Sequence, residues 1–318
     1  MFERRPFLLR YDSLAHMDTD LAWKSYKWRE NNSNKNHNNY LAQLVGKDTE
    51  LQFEVDWTYY ETHTHANVPM FGPSFDPQSG GPLTHTTLPF RTFMDWYQRN
   101  AIMHPEDPLF YLNVQQEDKE SNKEHQGGVY PPLSNLLDSG DIQLPYLLHQ
   151  MGEALHWHSA NVWMGRSSPV YGTQSKMHCD PYDNLYHVLE GRKRIILIGP
   201  SNAPFLATYG KVTRIDALSG EVLFSHDGGE HPHFSHIDPW RNDSVLLEKY
   251  AQYQHVDGSY VLDVGPGDVV YIPMGWFHAV HSYGRSMAVN FWFVHAKFHS
   301  RLAERSKIAR LNAEQAQP

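Results

Sequence analysis

Cysteine is nearly absent: Cys179 is the only one in 318 residues. A lone thiol cannot close an internal disulfide, and it rules out a cysteine-based zinc cluster, so a reducing compartment, cytoplasmic or nuclear, is expected. Long apolar runs are missing too. No stretch approaches the roughly 18 residues of a membrane span, and Met1 to Arg10 lacks the apolar centre of a signal peptide. Positive charge is in deficit, with 27 Lys and Arg against 36 Asp and Glu and a formal net charge of −9. That balance does not suit a surface built to neutralise nucleic-acid phosphates or anionic lipid, so no DNA and no membrane are expected as partners. A protein or a small molecule is the expected partner.

What is plentiful is aromatic residues, at 13%, and histidine, at 21 residues, on an otherwise ordinary globular composition. Along the chain, Pro6 to Arg10 and Leu51 to Tyr60 read as strands, and Asn31 to Asn39 and Pro69 to Leu83 as loops. Phe90, Phe93, Met94 and Tyr97 have the three-to-four spacing of an amphipathic helix over Pro89 to Asn100. A strand follows at Leu109 to Gln115, then a charged loop at Glu117 to Gly128 and a helix at Ile142 to Ala154.

From Asn161 onward short β-type runs alternate with Gly and Pro. They lie around Val162 and at Leu185 to Glu190, Arg194 to Ile198, Tyr260 to Val264, Asp268 to Ile272, Phe277 to His281 and Met287 to Phe293. This pattern predicts an all-β core with flanking helices, an antiparallel sandwich or barrel. The expected organisation is one barrel over 105–296, with a long insertion at 201–259. N-terminal strands and helices over 1–104 pack on it, and a C-terminal helix covers 297–318. That terminal helix is equally compatible with homodimerisation and with packing on its own barrel.

Met177-His178-Cys179-Asp180-Pro181 places a His and an Asp two apart in extended chain, so both side chains face one way and can share an ion. By itself His-X-Asp is also what a surface turn would give. Far downstream, Gly265-Pro266-Gly267-Asp268-Val269-Val270-Tyr271-Ile272-Pro273 is a tight turn entering a strand, and Trp276-Phe277-His278 then offers a second imidazole. Two His and one carboxylate, His178, Asp180 and His278, form a set that leaves coordination positions open on non-haem Fe(II). His281 lies at an odd spacing from His278 and faces the other side of the strand. The cluster His226, His231, His233 and His236 falls in the long insertion and is not read as a second metal site.

In order and in kind these motifs resemble the JmjC and cupin-like 2-oxoglutarate oxygenases, with His-X-Asp, a Pro-Gly-Asp turn and an Ile-Pro-X-X-Trp-aromatic-His strand. Asp183-Asn184-Leu185-Tyr186 and Ala288-Val289-Asn290-Phe291-Trp292 carry the likeness toward the small JmjC hydroxylases of the lysyl type. The resemblance implies a double-stranded β-helix of jelly-roll type that uses Fe(II), 2-oxoglutarate and O2. It further implies that Lys193 and Ser175 hold the distal carboxylate of 2-oxoglutarate, that Tyr111 bonds the same molecule, and that Asn184, Asn290 and Trp292 line its pocket. By composition alone, Lys193 in Arg192-Lys193-Arg194 would be a solvated hairpin residue. The implied activity is hydroxylation of an amino-acid side chain on a protein, with demethylation, RNA-base hydroxylation or an inactive binding protein as the alternatives.

Overall fold

A computed structural model of the chain describes residues 4–10, 40–56, 70–71, 84–99, 109–113, 132–141, 154–225, 231–240 and 248–298. The N-terminal part contains β1 (Phe7–Leu9), α1 (Tyr40–Val45), β2 (Glu50–Asp56), β3 (Met70–Phe71), β4 (Thr84–Pro89), α2 (Phe90–Gln98), β5 (Leu109–Asn113) and α3 (Leu133–Asp138). Then come β6 (Leu155–Arg166), β7 (Thr173–Ser175), β8 (His178–Cys179), β9 (Asp183–Ile198), β10 (Val212–Ile215) and β11 (Val222–Phe224). The described chain finishes with β12 (Ser259–Val264), β13 (Val269–Ile272) and β14 (Phe277–His295).

The long strands β9 and β14 organise everything else. Their antiparallel ladder runs from Phe277↔Ile198 to Tyr283↔Arg192, shifts register, and resumes from Met287↔Glu190 to Phe293↔Asp183. At the break Gly191 has φ +79, and a Cβ there would lie 2.2 Å from the Arg285 carbonyl oxygen, so only glycine allows the two strands to bend together. Each strand thereby serves both layers of the jelly roll. One half carries β12, β8 and β7, and the other carries β13 with β1 on one side and β6, β5, β2 and β4 on the other. The separate runs expected at 185–190 and 194–198, and at 277–281 and 287–293, are therefore two continuous strands. The glycines mark bends within them, not ends.

The core sits between the layers and beneath α2. That helix buries Phe90, Phe93, Met94, Trp96 and Tyr97, and Phe93 stacks on Phe53 of β2 with ring centroids 4.6 Å apart. Fully burying one such ring contributes roughly 2–3 kcal/mol, which holds the N-terminal strands on the barrel. The 201–259 interval, expected as a long insertion, carries the β10–β11 hairpin and a short 3-10 turn at Ala251–His255, with another at Pro200–Phe205 leading into it. α1 and α3 were not foreseen. The loops expected at Asn31–Asn39 and Glu117–Gly128, the helix expected at Ile142–Ala154 up to residue 153, and the terminal helix beyond residue 298 lie outside the described residues. No helix among the described residues is long and apolar enough to cross a membrane.

Candidate active site

Alternation through β8 and the residue that follows it aims His178 and Asp180 to one side and Cys179 to the other. Cys179 packs into an apolar cluster with Met177, Ile198 and Phe277, and burial pushes its thiol well above the usual range, which leaves it inert. His278 enters from the start of β14 directly across the ladder from His178. One ligand atom from each of His178, Asp180 and His278 can be chosen so that all lie within 4.8 Å of one another. No other such group of three occurs among the described residues.

Two backbone carbonyls orient the imidazoles. His178 Nδ1 lies 2.7 Å from the Lys176 oxygen and His278 Nδ1 lies 3.1 Å from the Trp276 oxygen. A carbonyl only accepts, so in the neutral ring each Nδ1 carries the hydrogen and each Nε2 keeps its lone pair. Burial, with His178 close by, lowers His278 to about 4 and keeps it neutral. The Nε2 atoms nevertheless face Asp180, at 4.0 Å from Oδ1 for His178 and 3.7 Å from Oδ2 for His278, and Oδ2 is buried without a hydrogen-bond partner. Three electron-pair donors converging with no hydrogen between them fit a small divalent cation, and this donor set without thiolate suits ferrous iron.

The two halves of the centre are tied by backbone. Gly275 N–H donates to the Asp180 carbonyl at 3.0 Å, in the turn that delivers His278. Asp183 holds the same region from behind, accepting two 2.8 Å bonds from Arg4 and one each from Tyr271 and the Met274 N–H.

Beside these ligands opens a cavity of about 190 Å3, lined among others by Ser175, Tyr111, Asn184, Asn290, Trp292, Ser282 and Tyr186. Lys193 is not solvated as composition suggested. It is fully buried behind the cavity wall and donates to Ser282 Oγ at 2.8 Å, its one hydrogen bond among the described residues. Burial lowers its ammonium from 10.5 to about 7, the signature of a cation that no carboxylate accompanies. Tyr111 also bonds Ser282, and its own hydroxyl is pushed up by burial. Ser175 Oγ accepts from the Val280 N–H at 2.9 Å, which leaves its hydrogen free to donate.

The cupin-like domain family model matches residues 24–298. The chain belongs to the cupin-like family. Among curated relatives it is 26% identical over 215 residues to the human bifunctional peptidase and (3S)-lysyl hydroxylase JMJD7, covering 63% of this chain and 64% of that protein. It is 32% identical over 157 residues to the Arabidopsis thaliana lysine-specific demethylase JMJ31, covering 48% of this chain and 23% of that protein. A third relative, the Dictyostelium discoideum JmjC domain-containing protein F, is 27% identical over 176 residues, covering 53% and 35%. The cupin-like chain thus spans less than two thirds of the length of each of these three relatives.

Of the residues foreseen in this cupin-like site, eight line the cavity and Lys193 lies behind it. His281 points elsewhere, 2.7 Å from the Tyr171 carbonyl and packed on Tyr283 and Trp240. His236 lies against Tyr209, and His226 lies outside the described residues. His233 and Phe234 were not foreseen: this part of the long insertion reaches the site. Phe234 stacks on His178 at 4.8 Å with the rings 9° apart, and His233 lines the cavity. Ser282 and Tyr186 were also missed. Strand alternation from His278 through Val280 to Ser282, and from Asn184 to Tyr186, was the signal available for them.

Proposed function

We propose that the chain is an Fe(II)- and 2-oxoglutarate-dependent oxygenase that hydroxylates an amino-acid side chain, of lysyl type, on a protein substrate. The observation that carries this reading is the convergence of His178, Asp180 and His278 with Asp180 Oδ2 buried and unpartnered. The buried Lys193 supports the cosubstrate, because an ammonium taken out of water calls for an anion. When bound, iron and 2-oxoglutarate together supply the oxidising power drawn from O2, releasing succinate and CO2 as a substrate C–H bond gains one oxygen.

The chain's own groups orient and protect. His178, Asp180 and His278 would hold the metal. Lys193, with the hydroxyls of Ser282, Tyr111 and Ser175, would receive the distal carboxylate through charge-assisted hydrogen bonds. Asn184, Asn290 and Trp292 wall the near side and exclude water. A JmjC-like binding protein without activity would have no use for a buried lysine behind such a pocket.

Methyl-lysine demethylation is the second reading, favoured by the likeness to the Arabidopsis demethylase. Both reactions convert 2-oxoglutarate to succinate, so incubation with Fe(II), ascorbate and candidate proteins, read by mass spectrometry, separates them. A mass gain of one oxygen on a lysine is the expected result, and loss of a methyl group would favour the second reading. No succinate above that of the His178→Ala variant, with every candidate tried, would sink both.

A further inference from the structure

Arg4 and Asp183, 179 residues apart in sequence, meet on the far side of the turn that delivers His278. The guanidinium donates to both carboxylate oxygens, Nη1 to Oδ2 and Nη2 to Oδ1, each at 2.8 Å, and Nη2 donates also to the Ser219 carbonyl at 3.0 Å. The Asp183 side chain is only 2% exposed, so its charge has left water and depends on that fork. The Arg4 backbone is engaged as well, its carbonyl accepting the Trp276 indole N–H at 2.8 Å.

These contacts bracket both halves of the candidate metal centre. Asp183 opens β9 just after Asp180, and its Oδ1 accepts the Met274 N–H at 3.0 Å. Met274 is followed by Gly275, which donates to the Asp180 carbonyl, and by Trp276, whose carbonyl faces His278 Nδ1 at 3.1 Å. Arg4 thus holds the segment carrying Asp180 through its side chain and the segment carrying His278 through its backbone. We infer that Arg4 is a positioning residue that keeps Asp180 and His278 converged on a common point before a cation binds. The inference rests on the proposed metal-centre reading for its consequence but not for its geometry. Neither Arg4 nor Asp183 lines the cavity, so the effect passes through the ligands they position. The planar fork fixes the angle between the two segments, whereas a lysine in its place would keep the charge and lose the angle. Donors already in place need no ordering on binding, so loosening the fork lowers metal affinity. A pair that only stabilised the fold would lower Tm and leave that affinity unchanged.

The test titrates the full-length chain anaerobically with Co(II), read by calorimetry and by the visible absorption of the bound ion. Arg4→Ala is expected to raise the Co(II) Kd about tenfold or more and to alter the absorption band, with Arg4→Lys rescuing only part of the loss. Guanidinium chloride, well below denaturing concentration, is expected to restore affinity to Arg4→Ala, and ammonium chloride is not. Arg285→Ala, which removes the 2.6 Å ion pair with Glu190 at the bend of the ladder, controls for lost stability and should leave Co(II) affinity unchanged. If Arg4→Ala alone does not fold, Arg4→Ala combined with Asp183→Asn keeps an acceptor for Met274 without an orphaned charge, and the same loss of affinity is expected of it. Parent-like affinity in the Arg4 variants, or an equal loss in Arg285→Ala, would overturn the inference.

A second readout needs no metal. In the metal-free chain the Met274 and Gly275 amides are expected to exchange about tenfold faster in Arg4→Ala than in the parent, while those of Leu197 and Ile198 in β9 keep their rates. Equal exchange at Met274 and Gly275 in the two proteins would also overturn it. A parent chain that takes up no Co(II) while that difference persists would instead sink the metal-centre reading and leave Arg4 as the clamp of the turn.

Discussion

Asp180 Oδ2 and His278 Nε2 face each other 3.7 Å apart with no hydrogen available to either. A buried carboxylate oxygen opposite a lone pair is unfavourable until a cation enters, so the metal-free site is strained in favour of binding. Asp180→Asn places an amide N–H where that oxygen stood. The variant is expected to gain roughly 1 kcal/mol of metal-free stability and to lose the rise in Tm that Mn(II) gives the parent chain. Thermal scans with and without Mn(II) check both; a variant still stabilised by metal would contradict the ligand role.

Phe234 covers one face of His178. Phe234→Ala is expected to cost about 3 kcal/mol in urea unfolding, as for a fully buried ring, and to weaken Mn(II) binding about tenfold because His178 loses the wall that fixes its plane. Unchanged metal affinity would reduce Phe234 to packing alone.

Gly275 sits at φ +78 in the turn before His278, and a Cβ there would lie 2.0 Å from the Gly220 carbonyl oxygen. Gly275→Ala therefore combines a left-handed backbone with a backbone clash and should destabilise by about 2 kcal/mol or more. Gly265→Ala is the control, since nothing lies within 4 Å of a Cβ there. Equal unfolding midpoints for the two variants would rule out the tight turn.

Lys193 gives a pH signature. Its ammonium is lowered from 10.5 to about 7 by burial, so between those values the unfolded chain holds a proton that the ligand-free fold has released. Its contribution makes stability rise with pH from about 7 to about 10.5, while below about 7 the full cost of the buried charge remains. The difference between the parent chain and Lys193→Met, measured by denaturant unfolding across pH 6 to 10, isolates this group. A flat difference would mean that Lys193 is solvated. Because a bound dicarboxylate would restore the charge, its binding above pH 7 should take up a proton.

Sequence reading reached furthest where chemistry and strand periodicity coincide. His178 and Asp180 share a face because two-residue spacing in extended chain dictates it, and the turn ending at Trp276 could only aim His278 into the same space. It failed where the cause is tertiary. Nothing local distinguishes the glycines that bend β9 and β14 from glycines that would end them, because the reason at Gly191 is the Arg285 carbonyl of a distant strand. Likewise the charge-rich Arg192-Lys193-Arg194 gave no sign that its middle residue alone is buried. Phe234 reaches His178 through a bridge between segments far apart in the chain, a contact that composition cannot reveal.

Anaerobic calorimetry of 2-oxoglutarate binding, with and without bound Mn(II), tests the account most directly. The account predicts one metal per chain, absent in His178→Ala, and one molecule of 2-oxoglutarate that binds tightly only to the metal-loaded form and weakly to Lys193→Met. A wild-type chain that takes up no metal, or binds 2-oxoglutarate equally well without it, would contradict the claim that these residues form an oxygenase centre.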